Sequence, residues 1–193
     1  MSQTLRFVLF SQLCLAFFSI ICIAIKPYFL FELNEGGLSN YGRYATTVVP
    51  YSLASLLCGS YLIAAAESIK NASKPKTKLL KYALFILGLE YIILLASTYT
   101  YKTNYVIDLI HIVAAIVIFI SEISLGLWLS LVILHTFKDY CLGILLIVAF
   151  LSLLLTYVGL LHVLFVGEIC SSVAFGILLY DGTSLVIESA TEP

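Results

Sequence analysis

The sequence predicts an all-α polytopic membrane protein, a single bundle of six transmembrane helices. Two observations carry the prediction. Of 193 residues, 62% are hydrophobic and 11% charged, against about 25% charged in ordinary soluble domains. The apolar residues also fall into runs near the ~20 that a helix needs to cross a ~30 Å hydrocarbon core. A water-soluble fold of this length could bury only part of that surface.

The first run, 5–25 (Leu5 to Ile25), ends at Lys26-Pro27. It has Arg6 at its start, as a signal peptide would, but it is too long for one and lacks a small-x-small cleavage site, so it reads as a retained anchor. An outer loop, 26–43, leads to the second span, 44–66, with Pro50 in the first turns, where a missing N–H costs little. A basic loop, 67–78, precedes the third span, 79–97. The fourth, 106–137, is long enough to require tilt or protrusion. The stretch 140–180 suits two crossings, 140–158 and 162–180, joined near Gly159 to Val163.

Lys and Arg in short loops set orientation. Arg6, Lys70, Lys74, Lys76, Lys78, Lys81 and Lys138 fall on one side, and Lys26, Arg43 and Lys102 on the other. The majority side is expected to be cytoplasmic, with both termini there and the protein in the cell membrane. The Asn71-Ala72-Ser73 sequon then faces inward, where it is not glycosylated. Tyr28, Tyr41, Tyr44, Tyr99, Tyr101 and Tyr105 gather at the expected outer boundary, the level amphipathic rings favour. A net charge of -1 excludes a nucleic-acid partner. The five cysteines lie in or beside apolar runs with no C-x-x-C pair, the pattern of structural thiols.

Ionisable residues inside spans are costly and normally face a bundle interior or a cavity. Glu90 lies near the middle of the third span, Glu122 near the middle of the fourth, Asp108 and His111 near its outer end, and Glu168 in the outer part of the sixth. At about 100° per residue, Asp108, His111, Ala115, Glu122 and Gly126 share one face of the fourth helix. Val113, Val117, Ile120 and Leu131 lie opposite and suit lipid, with Ser124 the polar exception. Such a face can simply lock helix packing. Ser55-x-x-x-Gly59, and Glu168, Ser172 and Gly176 at intervals of four, add close-packing signals.

These five residues, Glu90, Asp108, His111, Glu122 and Glu168, form a candidate polar pocket opening outward. The leading expectation is a protein without enzymatic activity that binds a lipid, a small molecule or a partner there. A second is a proton-coupled carrier in which Glu90 and Glu122 share a proton or pair with substrate. A third is a metal-dependent hydrolase built from Glu35, Asp108, His111, His162 and Glu168, although no His-x-x-x-His or His-Glu-x-x-His pair exists to support it. No established cofactor or metal motif is present, none is expected to be bound, and the serine nucleophile elbow is absent.

The segment Gly36-Gly37-Leu38-Ser39-Asn40-Tyr41-Gly42, followed by Pro50, resembles the Ser-x-x-Gly then Pro arrangement of six-span proteins of the Frag/DRAM/Sfk type and of uncharacterised bacterial six-span families. The resemblance covers one loop and a helix count. It implies a six-helix bundle and links to lipid organisation, and it transfers no catalytic residue.

Overall fold

The computed structural model describes residues 1–27, 37–70, 73–98, 105–161 and 163–191. Among these there are six long helices and no strand: α1 Gln3–Ile25, α2 Val48–Ser68, α3 Pro75–Thr98, α4 Tyr105–Trp128, α5 Phe137–Tyr157 and α6 Leu164–Thr191. Five are long and apolar enough to cross a membrane, namely α1, α2, α5, α6 and α4 with the turn that extends it to Leu134. α3 is not among the five, and it carries Lys76, Lys78 and Lys81 near its start and Glu90 further along.

Two of the helices start at a side-chain cap. Ser2 accepts a hydrogen bond from the Leu5 N–H and caps α1. Thr136 and Asp139 form a reciprocal capping box on α5. Between α4 and α5 the chain makes a π-helical turn, Leu129–Leu134, and reverses at His135 in the left-handed conformation (φ 58°). The buried Ser130 of that turn donates to the Asp139 carbonyl at 2.7 Å, fastening the two helices at the reversal.

Successive helices pack on one another, and α6 also returns against α1, α3 and α4. Where α2 crosses α3, a Cβ built on Gly59 would lie 2.6 Å from the Gly88 carbonyl oxygen, and one on Gly88 would lie 2.7 Å from that of Gly59. Only hydrogen side chains let the backbones meet so closely. The core is aliphatic and aromatic, with Leu62, Leu84, Leu129, Leu146 and Phe175 fully enclosed or nearly so. Large apolar side chains such as Phe17, Ile20, Val113 and Ile120 point away from it.

Both ends of the bundle are tied. At the lysine-rich end, Thr4 and Ser68 share a 2.7 Å hydrogen bond, and Lys74 donates to the Ser189 carbonyl at 2.6 Å. α6 therefore continues well past 180, where the sequence places the end of the sixth span. At the other end a short 3₁₀ segment, Leu38–Arg43, plugs the bundle, and Tyr41 packs there with Cys22, Tyr51 and Phe165. Tyr41 is thus enclosed by protein, while Tyr28, Tyr99 and Tyr101 of the expected aromatic belt fall outside the described residues.

Candidate functional site

Two places hold the unusual residues that the structure describes. The first is the crossing of α3 and α4. Adjacent residues on each helix interlock: Tyr91 Oη donates to Glu122 Oε1 at 2.7 Å, and Ser121 Oγ donates to Glu90 Oε1 at 2.8 Å. Glu122 is 4% exposed. Its position follows from the helical wheel, since Ile118, Leu125 and His111 on the same side of α4 are also buried, whereas Val113, Val117, Ile120 and Leu131 face outward.

The two carboxyls lie within electrostatic reach of each other. Cys58 of α2 is fully buried beside Glu122 and Tyr91. Glu90 Oε2 is buried without a hydrogen-bond partner among the described residues, an uncommon condition for a carboxylate oxygen. Chemically this crossing can hold or exchange a proton within a closed interior.

The second place is the plug. Glu168 of α6 accepts the Leu38 N–H and so caps the 3₁₀ segment. Gly37 makes this possible, because its φ of +52° is unfavourable for other residues and a Cβ there would collide with the Glu168 carboxylate. Glu168 is in turn within electrostatic reach of Glu122. Of the candidate carboxyls, Glu90 and Glu122 therefore meet at the α3–α4 crossing, while Glu168 sits at the plug. His111 is buried on α4; Asp108 lies in the first turns of that helix, and its side chain is outside the described residues. Glu35 and His162 also fall outside them. Among the described residues no group of three or more His, Cys, Asp or Glu side chains is placed to hold a metal ion.

Sequence reasoning missed a third feature. Between α1 and α6 lies a groove of about 630 Å³. Leu13, Ile20, Val173 and Ile177 line it and are themselves exposed on the outer surface of the bundle. Gln12, Ser19 and Ser172 give its floor a few neutral polar groups. Lys138 and Asp181 close one end, joined Nζ to Oδ2 at 2.6 Å. Glu90, His111, Glu122 and Glu168 are not among its lining residues. The signals for it were faint: one amide, Gln12, in an apolar run, and Asp181 at the point where the last run ends.

Compared with known proteins, the chain matches no family model, no curated protein and no solved structure. The arrangement of helices is compatible with a membrane protein, and its chemistry rests on the geometry above.

Proposed function

We propose that the protein is a multi-pass membrane protein with six crossings, α3 included, that binds a lipid-like amphiphile between α1 and α6 and catalyses no reaction. The observation that carries this reading is the groove itself. Its volume of about 630 Å³ suits a small-molecule or lipid ligand, its walls are apolar, and its rim residues face outward where hydrocarbon would lie. α1 is the least buried of the spanning-length helices, so the groove is open from the side.

A phospholipid carrying a photoactivatable group in its acyl chain tests this. With the protein in nanodiscs, crosslinks should concentrate on α1 and α6 and fall sharply in Ala16→Phe and Ser172→Phe, which fill the groove. Crosslinks spread evenly over α4 and α5, or unmoved by either substitution, would refute the reading. The orientation proposed is cytoplasmic for the lysine-rich end and both termini. Cysteines placed at Ser73 and Ser39 should label from opposite sides of an intact membrane, Ser39 from outside.

A second reading, proton-coupled transport, is favoured by the proximity of Glu90 to Glu122 and by the unpartnered Glu90 Oε2. Absence of uptake driven by a pH gradient would dismiss it, and uptake that survives Glu122→Gln would remove Glu122 as the coupling residue.

A further inference from the structure

The groove between α1 and α6 has chemically different ends. Among the described residues its charged lining residues are Lys138 and Asp181, and they sit together at the lysine-rich end beside Tyr180. From there the apolar wall of α1 runs from Leu9 to Ile23, roughly 21 Å at the helical rise, enough for an extended acyl chain. The two charges are accessible, with side-chain exposures of 61% for Lys138 and 33% for Asp181. An ion pair so exposed is worth little and opens readily.

We infer that this end selects a phospholipid whose headgroup carries both a phosphate and a primary ammonium, the phosphatidylethanolamine type. This rests on the groove being a lipid site. The phosphate replaces Asp181 as the partner of the Lys138 ammonium, and the headgroup ammonium replaces Lys138 as the partner of the Asp181 carboxylate. One charge-assisted contact becomes two, and both protein charges remain neutralised.

Other headgroups fit less well. A purely anionic one satisfies Lys138 but faces the Asp181 carboxylate, with Asp139 a further acid 4.0 Å from the Lys138 ammonium. Asp139 offers no alternative seat for an amine, because it is buried and holds the Thr136 N–H in the α5 cap. A choline headgroup has no N–H to donate and depends on aromatic faces. Among the described residues Tyr180 is the one aromatic residue lining the groove, too little for a cage.

Native mass spectrometry of the purified protein, offered phosphatidylethanolamine, phosphatidylglycerol and phosphatidylcholine with identical acyl chains, measures the selection. The ethanolamine lipid should be retained about fivefold over each of the others, the scale of a partly exposed ion pair. Asp181→Asn should transfer the preference to the glycerol lipid, and Lys138→Gln should lower ethanolamine binding to the choline level. The charge swap Lys138→Asp with Asp181→Lys keeps the pair and should keep the ethanolamine preference, which holds the test open if either single variant folds poorly. Equal retention of all three lipids, with Ala16→Phe still blocking them, would overturn the headgroup assignment and leave the groove standing. If Ala16→Phe changes nothing for any lipid, the groove reading itself falls.

Discussion

The α2–α3–α4 side of the bundle and the α1–α6 side are built from similar apolar helices, yet one is closed and the other open. On the closed side, glycines at 59 and 88 bring two backbones together, and the Tyr91–Glu122 and Ser121–Glu90 hydrogen bonds pin the next pair. On the open side, Gly176 meets the Gln12 side chain rather than a facing backbone, so α1 and α6 are held apart along their middle. In lipid there is no hydrophobic drive between helices, and close packing with interhelical hydrogen bonds decides which faces seal. The contrast teaches that a glycine seals a crossing where it faces another backbone, as at 59 and 88, and not where it faces a side chain, as at 176.

The sharpest break of the closed side is Gly88→Leu, whose branched side chain must enter the space of the Gly59 carbonyl. A loss of ~3 kcal/mol or more is expected, seen as a large drop in the unfolding midpoint in detergent; an unchanged midpoint would mean that the helices do not cross there. Glu122→Leu comes next, because it strands the buried Tyr91 hydroxyl. The expected loss is about 0.6 to 2 kcal/mol, with Glu122→Gln near neutral. A double-mutant cycle with Tyr91→Phe should recover most of the loss as coupling, and zero coupling would remove the hydrogen bond from the account.

Gly37→Ala sets a positive φ and the Glu168 carboxylate against a methyl group, for roughly 1–2 kcal/mol. Its signature should be local, with faster amide exchange across residues 38–43 and little change in α3 and α4. Uniform exchange behaviour across the whole chain would show that the plug is not a separate unit. Smallest in stability is Ala16→Phe on the open side, within about 0.5 kcal/mol, since Ala16 is exposed at the groove. A severe loss of stability there would mean that α1 and α6 are sealed in the membrane.

Much of this frame was readable from residue order alone. The lengths of the apolar runs mark the helices, and the polar stripe on the fourth turns Glu122 inward because a helix repeats every 3.6 residues. Ser55-x-x-x-Gly59 announced a close crossing but not its partner, since Gly88 belongs to another helix and local spacing carries no distance between helices. The reversal at His135 had no glycine to signal its left-handed backbone. α6 outran its apolar run because Asp181, Thr183 and Ser184 lower hydropathy without breaking a helix, and the tie from Lys74 to Ser189 gives that last stretch a place to rest. The groove was hidden for the same reason as Gly88: it is a gap between elements, and no window along one element records it.

The unbroken length of α6 has a mechanical consequence. At 28 residues it is a rod of about 42 Å, held near one tip by the Glu168 bond to Leu38 and near the other by Lys74 on Ser189, with the groove along its flank. A tilt of α6 that widened the groove would therefore move both attachments together, the 3₁₀ segment at Leu38 and the Lys74 contact at Ser189.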